Sequence, residues 1–324
     1  MNPVPLKRAL ENEAAPFLHA LERGESDLDW ASIRELAVPA LAVTLYFRAP
    51  VADCAEGVVA CLEAFLADWG PRVTWYADED LGRFQPATAK RLRRPVERLR
   101  DRAKALTFYA WTMSAGASYE SPSALGFQSY LQGDASGPLS FVRASFPPEA
   151  YAGAAGAARF VELVRRWAAR LPLFHGYGGL ALNQSESDRQ PRSWILPAIS
   201  RRFPGFEIDD CGGTVLRGQE AIKGVNWLTL VGERFLSRVG GLDSLCSGLD
   251  PAIETLPIAG RGVMFRLGEQ PQTGDLQLGE RLPLYRALSR VLGPLRMKEH
   301  PALGPAEYGS FGPEGTALWL RRFD

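Results

Sequence analysis

Histidine is nearly missing from this chain, with three in 324 residues, at positions 19, 175 and 300. A Ser-His-Asp or Cys-His catalytic site would have to be built on His175 or His300, and both read more simply as satisfied histidines. Cysteine is scarce as well. Cys54, Cys61, Cys211 and Cys246 include no CxxC pair and no metal-ligand spacing, so neither a metal nor a cofactor is expected. Cys54 and Cys61 share one face of a predicted helix and read as buried free thiols of a reducing compartment. Long apolar runs are absent. The longest, Val38 to Phe47, is broken by Pro39 and Thr44 and fits a buried strand better than a membrane span. The first residues carry no apolar signal region, which points to a cytoplasmic location. A net charge is missing too: 37 Lys and Arg balance 37 Asp and Glu, which argues against a bulk polyanion partner.

The standard chemical motifs are also lacking. There is no phosphate-cradling G-x-x-x-x-G-K-[ST] loop, no G-x-S-x-G elbow and no H-E-x-x-H pair. Glu220 and Lys223 lie three apart, not the two of a metal-nuclease Glu-x-Lys. His175-Gly176-Tyr177-Gly178-Gly179 reads as a tight turn or a close backbone approach.

What remains is ordinary globular composition, 46% apolar and 23% charged. Residues 1–34 read as an irregular arm with a short helix near Ala14 to Leu21, followed by one domain over 35–324. Strands are expected at Pro39–Arg48, Arg72–Tyr76, Leu125–Leu131, Leu139–Phe146, Tyr177–Leu182 and Ile222–Leu228. Further strands are expected at Ile253–Ile258, Gly262–Leu267 and Thr316–Arg321. A helix capped by Asp53 should bury Val58, Cys61, Leu62, Phe65 and Leu66 and end at Gly70. Other helices are expected at Ala87–Ala105 (interrupted at Pro95), Ala154–Leu171, Trp194–Phe203, between Leu228 and Gly240-Gly241, and from Pro283, the last of them. Strands and helices do not alternate strictly, and 125–146 reads as a hairpin. The expected class is therefore α+β, with a mixed, largely antiparallel sheet packed against several helices.

The zero charge divides unevenly along the chain: residues 1–80 net −8, residues 81–110 net +7, and the rest +1. Eight cations between Lys90 and Lys104 form a basic segment that offers a nucleic-acid reading. It lacks stacking aromatics, and a solvated helix docked against acidic neighbours is the simpler reading. Two acidic clusters, Asp78-Glu79-Asp80 and Glu207, Asp209 and Asp210, lie in segments with turn chemistry. They are ordinary solvated loops or an anionic surface for a basic protein partner.

From Ile222 onward a family pattern emerges. Ile222-Lys223-Gly224-Val225-Asn226-Trp227-Leu228-Thr229-Leu230 is followed by a helix, Gly240-Gly241, Gly268-Glu269-Gln270-Pro271-Gln272-Thr273-Gly274-Asp275, Leu282-Pro283-Leu284-Tyr285-Arg286 and Leu295-Arg296. This order resembles the bacterial type VI secretion immunity family, the TsiV-like proteins. The motifs lie within 222–296, and the general layout extends the likeness over 35–300. The resemblance implies a non-enzymatic intracellular antidote that binds and neutralises a cognate effector toxin, a nuclease of the restriction-endonuclease or VRR type. It brings no catalytic residue with it. Asn226, Trp227, Gly274-Asp275 and Tyr285-Arg286 have fold-determining roles in this reading, and the six acidic residues above are the candidate toxin contacts. Two alternatives stand beside it: an enzyme with a scattered carboxylate site, and a nucleic-acid module using residues 87–104.

Overall fold

The apolar run at 38–47 becomes the strand around which the rest is arranged. A computed structural model, which describes residues 37–184, 195–303 and 312–324, places β1 (Ala37–Phe47) inside a ten-stranded sheet. The chain continues through α1 (Val51–Trp69), β2 (Trp75–Asp78), β3 (Gln85–Pro86), α2 (Ala89–Arg102), β4 (Phe108–Ser114), β5 (Gly126–Gln132) and β6 (Ser140–Phe146). It goes on through α3 (Gly153–Arg170), β7 (Leu173–Gln184), α4 (Ile195–Arg202), α5 (Cys211–Arg217), β8 (Leu228–Gly232), α6 (Glu233–Ser237) and α7 (Leu242–Cys246). The last described elements are β9 (Ile253–Ile258), β10 (Gly262–Leu267), α8 (Pro283–Val291) and α9 (Pro313–Leu320). The sheet order is β3-β2-β4-β5-β6-β1-β7-β8-β10-β9, and every neighbouring pair is antiparallel. This is the α+β architecture the sequence pattern predicts. The expected N-terminal arm and the helix near Ala14 lie outside the described residues.

Both faces of β1 are covered, which explains its nearly continuous apolar sequence. Leu41, Val43, Leu45 and Phe47 join a core with Val58, Leu62 and Phe65 of α1 and Phe160, Val164 and Trp167 of α3. Gly57 lets α1 approach the end of α3, since a Cβ there would lie 2.2 Å from the Arg170 carbonyl oxygen. On the other face, Tyr46 and Tyr177 pack with Cys211 and Val215 of α5. Farther out, β4 and β5 are covered on one side only. Tyr109, Trp111, Met113, Phe127 and Leu131 are buried, while Ala110, Thr112, Gln128 and Tyr130 alternate with them on a half-exposed face.

Several expectations need correction. Thr316–Arg321 is not a strand; it falls largely within α9, which places Thr316, Trp319 and Leu320 on one buried helical stripe. An apolar run this short fits either period, and Pro313 in the first turn favours the helix. Ile222–Trp227 is not a ladder strand; it makes one isolated bridge, Ile222 to Arg296, and the ladder begins at Leu228. Gly70–Arg72 forms a 3-10 turn, so the expected strand at 72 starts at Trp75. Asp53 lies in the first turn of α1 and Pro50 takes the cap position. Pro95 does not interrupt α2, which runs through it and buries its ring; Thr88 caps the helix by accepting from the Arg91 backbone N–H. The glycines at 176, 178 and 179 lie within β7, so close approach is the reading that holds: a Cβ on Gly176 would be 2.6 Å from the Thr44 carbonyl oxygen.

Candidate functional site

The first acidic cluster meets the basic helix. Asp78 is buried at the end of β2, accepts the Tyr76 hydroxyl at 2.8 Å and lies 3.1 Å from Arg94 Nε. Arg94 also donates to Asp80 at 2.7 Å. Arg98 bridges Asp80 and Glu79, the latter at 3.2 Å, and its guanidinium stacks 4.6 Å over the Tyr109 ring. Three carboxylates thus share two arginines. Burial pushes Glu79 above the usual carboxylate value, only partly countered by backbone N–H groups and Arg98. Slight desolvation of Asp80 is outweighed by Arg94 and Arg98, which hold it low. Arg100 reaches back to Glu63 of α1 at 3.0 Å. Four carboxylates of the acidic region are thus paired with three cations of the basic segment, Arg94, Arg98 and Arg100.

The second cluster is interior. Segment 207–209 runs beside β7, where the Glu207 backbone N–H donates to the Leu180 carbonyl at 2.8 Å. The Glu207 carboxylate receives Lys223 Nζ at 2.8 Å, Asn226 Nδ2 at 2.9 Å and Arg322 Nη2 at 3.1 Å. Arg322 in turn stacks 3.7 Å over Trp319. One carboxylate thereby joins the family-like Lys223-Gly224-Val225-Asn226 segment to the end of the chain. Asp209 receives Arg143 Nε at 2.5 Å and the Tyr177 hydroxyl. Arg143 also donates to Asn183 Oδ1 at 2.5 Å, and Asn183 donates onward to Ser145 Oγ at 2.9 Å. Asp210 caps α5 through the Gly213 N–H at 3.1 Å and lies 4.0 Å from His300 Nδ1.

The titration behaviour of this interior follows from its burial. Desolvation alone would raise Asp209, but Arg143, Lys223 and the Tyr177 hydroxyl overcome it and hold the carboxyl low. Desolvation pushes Tyr46 and Tyr177 well above the usual phenol value. It lowers His175 to about 3 and His300 to about 4, with the Lys223 charge adding to both. Each of these shifts leads away from neutrality. General acid–base chemistry needs the opposite, a group poised near the working pH. The cluster fastens the 203–226 segment and the C-terminus to the sheet.

The six acidic positions therefore do not form one exposed anionic surface. The side chains of Asp78, Glu207 and Asp209 are buried with their own cations, while Glu79, Asp80 and Asp210 reach the surface in part. A more exposed acidic face lies on α1, whose 19 residues hold Asp53, Glu56, Glu63 and Asp68 and no basic residue. Its signal was present in the sequence: these positions fall between the buried Cys54, Val58, Cys61, Leu62 and Phe65 of the helical period. The basic segment keeps Lys90, Arg93, Arg102 and Lys104 exposed. Asn226 and Trp227 have the structural roles expected of them, Asn226 on Glu207 and Trp227 stacked on Phe160 with centroids 6.0 Å apart. Among the described residues no group of three or more His, Cys, Asp or Glu is placed to hold a metal ion. No described helix is long and apolar enough to cross a membrane.

Comparison with known proteins identifies the family. Residues 57–323 match the TsiV family model, described as type VI immunity for VRR-NUC, and the chain belongs to that immunity family. Among solved structures it is similar to the Pseudomonas aeruginosa T6SS protein PA0821. That likeness has a TM-score of 0.77 and 24% identity over 89% of this chain and 82% of that one, and it supports the fold. No curated protein matches the chain at a significant level.

Proposed function

We propose that this protein binds a cognate VRR-type nuclease effector in the cytoplasm and blocks it, acting by contact and not by catalysis. The single observation that carries this reading is the family match over 57–323. The structure adds support in two ways. The carboxylates a hydrolytic site would need are committed to internal cations: Glu207 to Lys223 and Arg322, Asp209 to Arg143. The surface, by contrast, separates an acidic α1 from a basic α2, giving local fields that speed encounter with a charged partner although the net charge is zero. Occlusion of the effector's DNA-binding cleft is the simplest mechanism. Glu79, Asp80 and Asp210 are the members of the acidic set that remain available for contact.

The test is co-expression. Cells producing the effector nuclease encoded beside this protein survive when the protein is present, and a tagged copy recovers that effector from the lysate. Death of the co-expressing cells together with no recovery rejects the reading.

A further inference from the structure

A groove of about 620 Å³ runs between α1 and α2. Leu66 of α1, Leu92 and Val96 of α2 and Val73 between them give it an apolar floor. Ala67 and Ala89 are exposed and small, so the walls stand apart. Both helices present a stripe to it at helical spacing, 63, 66 and 67 from one and 89, 92, 93 and 96 from the other. The two rims carry opposite charge. Glu63 lies on the α1 side, on a helix with no basic residue, and Arg93 lies on the α2 side next to exposed Lys90. Glu63 is drawn toward Arg100 at 3.0 Å, while Arg93 makes no ion pair among the described residues.

We infer that this groove receives an amphipathic helix of the effector, with an apolar stripe flanked by basic residues toward α1 and acidic residues toward α2. The inference rests on the proposed effector-binding function and says where that binding is anchored. A groove with an apolar floor and charged rims is the receiving half of helix-in-groove recognition. The opposed rims fix the direction in which such a helix lies, because the reverse orientation sets like charges together. A two-fold contact that sets groove against groove fills neither, so a convex ridge of different sequence is the better occupant.

The test uses the full chain and the purified effector. Ala67→Trp fills the groove from an exposed position, and Arg93→Glu reverses one rim. Both should leave the thermal unfolding midpoint close to that of the wild type. Effector affinity should fall about 30-fold or more for Ala67→Trp, the size of a lost anchor, and clearly for Arg93→Glu. A photo-crosslinking residue in place of Ala67 should join to the effector. Wild-type affinity in both variants overturns the groove while leaving the functional reading intact. Crosslinks to a second copy or to residues 1–36 of the same chain overturn it in favour of those occupants. A wild-type protein that does not bind the effector removes both readings.

Discussion

Arg143 on β6 holds Asp209 at 2.5 Å with both side chains more than nine-tenths buried, and the pair fixes the segment before α5 to the middle of the sheet. Removing one member strands the other charge in the interior. Asp209→Leu or Arg143→Leu alone should destabilise the protein by about 3–5 kcal/mol, whereas the double substitution should cost clearly less than the sum. Urea unfolding of the four proteins measures this directly. Additive losses would mean that Asn183 and Tyr177, not the pair, hold the segment in place.

The buried histidines set an acid limit. His175 and His300 are depressed to about 3 and about 4, while in the unfolded chain they titrate near 6.5. The unfolded state therefore binds more protons between those values. The stability that neutral histidines provide is complete above about pH 6.5 and is lost as the pH falls toward 4, with a slope of up to about 1.4 kcal/mol per unit for each histidine. Asp209, held low, adds its own loss only below the ordinary carboxylate range. Unfolding midpoints from pH 8 to 4 should stay flat and then drop below 6.5, and His300→Gln should shallow the drop.

The acidic cluster against α2 predicts a contrast between neighbouring residues. Asp80 is well exposed, so Asp80→Asn should change stability by less than about 1 kcal/mol. Asp78 is buried beneath Tyr76 and Arg94, and Asp78→Asn should cost more, about 1–3 kcal/mol. Because Arg94, Arg98 and Arg100 are paired internally, binding of duplex DNA in about 150 mM salt should be undetectable in a mobility-shift assay. A tight complex with a steep salt slope would instead support the nucleic-acid reading of 87–104.

Thiol chemistry offers a further check on the core. Cys54, Cys61 and Cys211 are buried, and desolvation raises all three thiols, Cys54 and Cys211 to about 12. Cys246 is partly exposed. A disulfide reagent should modify one of the four thiols rapidly in the native protein and the remaining three only after denaturation.

The sequence pattern foretold the elements whose own period is strong. The α3 helix was expected at Ala154–Leu171 and spans Gly153–Arg170, and β9 and β10 lie where alternation placed them. Short runs such as the six residues 316–321 were ambiguous because so short a stretch satisfies a helix and a strand equally well. The site was harder to read for a different reason. Glu207 and Asp209 carry turn chemistry locally, yet their fate is decided by Arg143, Lys223 and Arg322, partners separated from them in the chain and united only by the sheet. Uneven charge along the chain was readable, and so was the docking of the basic helix against acidic neighbours, here Glu63 and Asp78-Glu79-Asp80. The acidic outer face of α1 is legible in the helical period, because Asp53, Glu56, Glu63 and Asp68 fall between the buried positions.

The most direct test of the account is DNA cleavage by the purified cognate VRR-type effector, titrated with this protein. Effector blocking by contact predicts that cleavage falls in proportion to the protein added, reaches zero near one equivalent and returns when the complex is separated. Undiminished cleavage at several equivalents, or inhibition that progresses with catalytic amounts and persists after separation, would contradict it.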